Sequence, residues 1–171
     1  MSQWKRRRVI DFAELSREER ALYNPAFTAV AVTRAVQGYQ AQYKRGCPIT
    51  VAVLSVVMAM QPGIRRLLPA TIRNGLTRWL EEHQTIKIAM AQNAEGLAAV
   101  VRPGLLLALQ VRVLQIDQAG LLEVNPGAIT KAITADTEET LAIQKASYML
   151  GRWLPSTGSL GTVMTLLGVR P

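Results

Sequence analysis

Apolar residues in this chain recur at intervals of three and four over most of its length, and one stretch alternates in twos. The first spacing places side chains on one face of an α-helix, the second on one face of a strand. Asn24-Pro25 opens the first long helical pattern, because asparagine caps free N–H groups and proline suits the first helical position. Its inward face reads as Phe27, Val30, Ala31, Ala35, Gly38 and Tyr39, and the pattern runs to about Tyr43. The small residues Ala31, Ala35 and Gly38 let a second backbone approach closely. Ahead of it, Ser16 and Glu19 stand at capping-box spacing and predict a short helix to Leu22. Gly46 reads as the stop of the long helix and Pro48 as the restart.

The run Ile49 to Met60 is rich in valine, which favours a strand, but its length without a turn signal favours a helix buried on most sides. Pro62-Gly63 breaks it. After Pro69, the residues Ile72, Leu76, Trp79 and Leu80 form an amphipathic stripe, and a further helix is expected from about Ile86 to Val101. Pro103 predicts a kink or a fresh start before Leu105 to Leu109. The period then changes: Val111 to Ile116, the turn residues Asp117-Gln118-Ala119-Gly120 and Leu121 to Val124 spell a β-hairpin closed by Asn125-Pro126-Gly127. Two helices complete the chain. The first is capped by Thr134 or Asp136 and carries Leu141, Ile143, Ala146, Leu150 and Trp153. The second starts within Ser156 to Ser159, carries Leu160, Val163, Met164 and Leu167, and ends at Gly168.

These elements define a mainly α (α+β) fold, a helical domain with a small winged-helix-like β-hairpin near 111–124. Residues 16–171 read as one domain. Residues 1–15 lack a sustained apolar period and carry Lys5-Arg6-Arg7-Arg8, so they read as a basic arm that orders only against something else. A length of 171 residues with 49% hydrophobic content suffices for a genuine core. One cysteine excludes an internal disulfide framework and fits a reducing, cytoplasmic setting. The nearly unbroken apolar run from Val51 to Met60 is too short for a transmembrane helix, and acids follow the N-terminal basic cluster where a signal peptide needs its apolar stretch. No membrane association is expected.

The net charge of +8 comes from fifteen Arg and five Lys against twelve acids. Arginine favours planar, multidentate contacts, so phosphate or a carboxylate-rich protein surface is the expected partner. Arg65, Arg66, Arg73, Arg78, Arg102 and Arg112 fall in or near the helix–helix–hairpin order of a winged-helix unit. They reach several phosphates if they share a face, and are solvated charges if they do not. Catalytic chemistry is poorly supported. His83 and Cys47 are the only residues of their types and cannot build a zinc site. Ser156-Thr157-Gly158-Ser159-Leu160-Gly161 precedes a helix and could cradle an anion, but lacks the lysine of a phosphate-binding loop and serves equally as an N-cap. The acid pairs Glu81-Glu82 and Glu138-Glu139 are explained by helix polarity. The chain reads as a non-enzyme without cofactor or metal.

The segments Asn24-Pro25-Ala26-Phe27, Gly38-Tyr39, Arg65 with Leu68-Pro69, Trp79, Gly151-Arg152-Trp153 and the closing Leu166-Leu167-Gly168-Val169-Arg170-Pro171 resemble the middle-component proteins of bacterial three-component ABC ATPase systems. The resemblance runs in order from about residue 14 to the last residue. It departs before Arg65, where this chain has Gln61 and Ile64 in place of the family's His and Thr. The resemblance implies a small non-enzymatic adaptor between an ATPase of the chromosome-maintenance (SMC) or Rad50 type and an effector, often a nuclease, in antiviral or anti-plasmid defence of the Lamassu kind. DNA contact is then expected through the complex.

Candidate interface residues on this reading are Asn24, Phe27, Tyr39, Trp79, Arg152, Trp153 and Arg170. Candidates for contact with DNA or an acidic partner are Lys5, Arg6, Arg7, Arg8, Arg65, Arg66, Arg73, Arg78 and Arg112. Arg152, Arg170 and the terminal carboxylate are expected to pin the C-terminus to the body or to a partner. The alternative from a different class is a stand-alone winged-helix-like DNA-binding regulator.

Overall fold

A computed structural model describes residues 16–73 and 75–169. The chain folds as α1 (Arg17–Leu22), α2 (Pro25–Tyr43), α3 (Ile49–Ala59), α4 (Pro62–Arg65), α5 (Leu76–Glu82) and α6 (Thr85–Gln110), then β1 (Leu114–Ile116) and β2 (Leu122–Val124), then α7 (Glu138–Trp153), a 3-10 turn (Leu154–Thr157) and α8 (Leu160–Leu167). This is the mainly α fold with one small hairpin that the periodicity implies. No helix among the described residues is long and apolar enough to cross a membrane.

Helix α2 is the axis of the molecule, and α3, α6 and α7 pack around it. Its start is set locally: Asn24 Oδ1 accepts the Ala26 N–H at 2.8 Å and Pro25 occupies the first turn. Surrounded on several sides, α2 buries Thr28, Val32, Thr33, Arg34 and Val36 as well as Ala31, Ala35, Gly38 and Tyr39, while Phe27 and Val30 stay half-buried. A single inward stripe was too narrow a description. A central helix contacts neighbours all round, so its burial does not follow one face.

Close approach decides the α2–α7 packing. A Cβ on Gly38 would collide with the Tyr148 carbonyl, and one on Gly151 with the Ala35 carbonyl. Residue numbers ascend on one helix as they descend on the other, so the two run antiparallel. Gly104 of α6 meets Thr28 and Ala29 of α2 equally closely.

Three local expectations need correction. The C-cap of α2 is Lys44 in the left-handed region at φ 56°, and Gly46 instead lies against Leu121, whose Cβ would be 2.6 Å from an added methyl. Of the kink or fresh start expected at Pro103, the fresh start does not occur, because α6 is continuous from Thr85 to Gln110. Pro103 is exposed, so water can reach the carbonyl its missing N–H leaves free, and the packing of Gly104 against Thr28 and Ala29 helps offset the cost of an interior proline. The N-cap of α7 is Thr137, whose hydroxyl accepts the Thr140 N–H, rather than Thr134 or Asp136.

Other local readings hold: the Ser16–Glu19 capping box forms in both directions, the valine-rich run is α3, and Gly168 caps α8 at φ 70°. Ile72 precedes α5 rather than belonging to it. The hairpin is shorter than its pattern because 111–113 form the turn leaving α6, with Arg112 at φ 60°. It is anchored at both ends: Cys47 and Leu122, beside the turn, exchange two backbone hydrogen bonds of 2.8 Å, and at the base the Val124 N–H donates to Gln40 Oε1 at 3.1 Å.

Candidate functional site

The aromatic candidates lie inside. Trp153 is fully buried and Trp79 nearly so, and their rings meet edge to face at 5.1 Å. The Trp79 indole N–H donates to the Leu67 carbonyl at 2.7 Å, which ties α5 to the segment before it. Tyr39 is buried and its ring lies 4.7 Å from that of Tyr43. The Tyr43 hydroxyl donates to the Arg152 carbonyl at 2.9 Å, joining the ends of α2 and α7. Burial pushes the Tyr43 hydroxyl pKa up, with Tyr39 adding to the shift and Arg45 and Arg152 opposing it. Phe27 is half-buried, and Asn24 is an exposed cap.

The arginines separate into two groups. Arg65 belongs to the interior: its side chain is 9% exposed, donates to the Ala59 carbonyl at 2.6 Å, and pairs with Glu139 at the start of α7. That pairing staples α3, α4 and α7 together, so Arg65 is not a free phosphate contact. Half-buried Arg152 lies 6.0 Å from the Tyr148 ring centroid and reaches Gln42 Oε1 at 3.3 Å. Arg66, Arg73, Arg78, Arg102 and Arg112 are exposed, and Arg78 pairs along its own helix with Glu82 at 3.0 Å. Lys5, Arg6, Arg7, Arg8 and Arg170 lie outside the described residues.

Arg34 was missed, because arginine within a helical pattern reads as surface. It is 3% exposed, and its guanidinium donates to Gln144 Oε1 at 3.2 Å, Gln37 Oε1 at 2.9 Å, the Thr130 carbonyl at 2.6 Å and the Ala132 carbonyl at 3.0 Å. Gln144 in turn donates to the Thr134 carbonyl at 3.1 Å. The network fastens the connection between β2 and α7 onto α2. Desolvation pulls the Arg34 pKa below the usual arginine value. The sequence signal was its position inside an otherwise uncharged stretch, Thr28 to Tyr43.

An open groove of about 620 Å³ lies between Tyr23 with residues 60–67 on one side and the 85–97 face of α6 on the other. Its apolar wall includes Met60, Ile64 and Ile86. Gln61 is held within it, donating to the Val57 carbonyl at 3.2 Å and accepting from Asn93 Nδ2 at 3.1 Å. Gln61 and Ile64, where the chain departs from the resemblance, therefore both shape this groove.

The reactive residue types are engaged structurally. Burial pushes the Cys47 thiol up to about 12, against a lowering hydrogen bond to the Ala52 backbone, so it is no nucleophile near neutrality. His83 Nδ1 lies 2.8 Å from the Trp79 carbonyl. Ser159 caps α8 by accepting the Thr162 N–H at 3.2 Å, which accounts for the Ser156 to Gly161 stretch as a helix start. Among the described residues no group of three or more His, Cys, Asp or Glu is placed to hold a metal ion.

The described residues thus form a helical body with an internal arginine network, a set of exposed arginines and an open groove. Residues 12–171 match the family model described as ABC-three component (ABC-3C) system Middle Component 3, and the chain belongs to that family. It is a middle component of an ABC-three component system. No curated protein and no solved structure matches it.

Proposed function

We propose that this chain is the non-enzymatic adaptor of its system, joining an SMC/Rad50-like ABC ATPase to an effector, a nuclease or similar, in a cytoplasmic Lamassu-type anti-phage or anti-plasmid complex. The observation that carries the reading is the match of residues 12–171 to the middle-component family. The exposed Arg66, Arg73, Arg78 and Arg112 support it as contacts for an acidic partner or for DNA held by the complex. Transmission of an ATPase state to the effector requires different contacts in two states of the assembly. Capture of the tagged chain from its host, at moderate salt with nuclease present, is expected to bring down an ABC-type ATPase and the effector in stoichiometric amounts. Recovery of the chain alone would contradict the proposal.

The second reading, a stand-alone DNA-binding regulator, is favoured by the same exposed arginines within 66–78. It requires tight DNA binding by the isolated chain with a steep salt dependence, because each phosphate contact releases counterions. On the adaptor reading Arg152 and Arg170 hold the C-terminal tail in place. Removal of Val169, Arg170 and Pro171 is then expected to weaken complex formation.

A further inference from the structure

A smaller cavity of about 220 Å³ lies where the end of α2 and the start of α3 meet the 3-10 turn and α8. Its floor is apolar and buried, made by Val51, Leu54, Leu154 and Val163. Its polar side chains are Tyr39, Tyr43, Arg45 and Ser159, and no acid is among its lining residues. Two of the four are committed elsewhere: the Tyr43 hydroxyl donates to the Arg152 carbonyl at 2.9 Å, and Ser159 Oγ accepts the Thr162 N–H at 3.2 Å. The other two form a pair with donors to spare. Arg45 Nε donates to the Tyr39 hydroxyl at 3.2 Å, and among the described residues nothing accepts the Nη protons of Arg45 or the hydroxyl proton of Tyr39. Tyr39 is 2% exposed, so an acceptor for its proton has to come from the cavity it lines.

A complementary ligand accepts hydrogen bonds at one end and sheds water at the other. Exposed Arg45, next to Lys44 and with no carboxylate among the lining residues, favours a negatively charged acceptor. Drug-sized ligands fill about 300–1,000 Å³ and a benzene fits in about 150 Å³, so a hydrocarbon part of about four to six carbons suits this cavity. We propose that the cavity binds a short branched or aromatic carboxylate, its charge held by the Arg45 guanidinium and the Tyr39 hydroxyl and its hydrocarbon end among Val51, Leu54 and Val163. The assignment is independent of the adaptor reading. The same chemistry occurs in a free acid and at the C-terminal leucine of another polypeptide.

The test titrates the isotope-labelled full chain with isocaproate. Saturable shifts are expected in the methyls of Val51, Leu54 and Val163 and in the Arg45 Nε–H, with none at Val111 or Ile116. Acetate, which lacks the hydrocarbon, and isocaproamide, which lacks the charge, should each bind at least about tenfold more weakly. Arg45→Gln and Tyr39→Phe should each weaken isocaproate binding by about tenfold or more, while Arg78→Gln, away from the lining, should leave it unchanged. Arg45 is exposed, so its replacement leaves the core intact, and the Trp79 and Trp153 indole signals report whether Tyr39→Phe does the same. A parallel titration with N-acetylglycyl-leucine separates the sources: tighter binding than the free acid marks a polypeptide end and weaker binding marks a free metabolite, and either supports the site. Shifts that do not saturate, an amide that binds as well as the acid, or Arg45→Gln at wild-type affinity would overturn the proposal.

Discussion

Arg34 shows how a single residue can be structural against its type. Its guanidinium is 3% exposed and satisfies two backbone carbonyls of the loop before α7, as well as Gln37 and Gln144. Arg34→Met keeps much of the volume but removes every guanidinium donor, leaving Gln37 Oε1 and Gln144 Oε1 unpaired and the Thr130 and Ala132 carbonyls with only Gln37 Nε2 at 3.4 Å and the Thr130 hydroxyl at 3.0 Å. Such a loss costs about 2–4 kcal/mol. Chemical denaturation should show that drop, and amide exchange should accelerate in 128–137. Cys47 makes a second residue-scale prediction. Between its ordinary value of 9.0 and about 12 the folded thiol keeps a proton that the unfolded chain has released. The unfolded state then binds fewer protons, so stability falls as pH rises through this window, by at most about 1.4 kcal/mol per pH unit. Cys47→Ala should lose less stability than the wild type between about pH 8.5 and about pH 10.5.

Among the elements, the α2–α7 crossing rests on backbone contact. Gly38→Ala and Gly151→Ala gain helix propensity, yet each places a methyl against a carbonyl of the opposite helix. Overpacking of that kind costs about 1–3 kcal/mol, so both variants should melt at lower temperature. Gly96→Ala, which meets nothing within 4 Å, should instead stabilise by about 0.5–1 kcal/mol. Stabilisation by all three would show that propensity, not packing, governs these positions.

The elements were largely legible because their ends carry side-chain chemistry: Ser16 with Glu19, Asn24 with Pro25, Ser159 and Gly168 all act as the spacing implies. What was hidden depended on tertiary surroundings. Nothing local announces that Lys44 takes the left-handed cap, that Pro103 faces solvent within a continuous helix, or that α2 is buried all round. The candidate site was read less well. Position in a helix could not separate Arg65, held by Ala59 and Glu139, from exposed Arg66 beside it. The groove joins residues 23, 60–67 and 85–97, a proximity that no periodicity encodes.

For the molecule as a whole, the arginines divide into those that hold the body together and those exposed to solvent, which we propose for recognition. Arg34 and Arg65 serve the body, so their replacement tests stability. Arg73 and Arg78 are exposed, and the Arg78–Glu82 pair lies along one helix face in solvent, where such pairs contribute under about 1 kcal/mol. Charge reversal there leaves the fold intact while opposing any acidic surface. The most direct measurement of the adaptor account is quantitative affinity capture of the wild type and of Arg73→Glu/Arg78→Glu from the native host, with nuclease present and with melting of both chains recorded. The account predicts equal melting, an ABC-type ATPase and an effector with the wild type, and a marked loss of one or both with the variant. A wild-type chain recovered without either partner, or a variant that keeps both at wild-type yield, would contradict it.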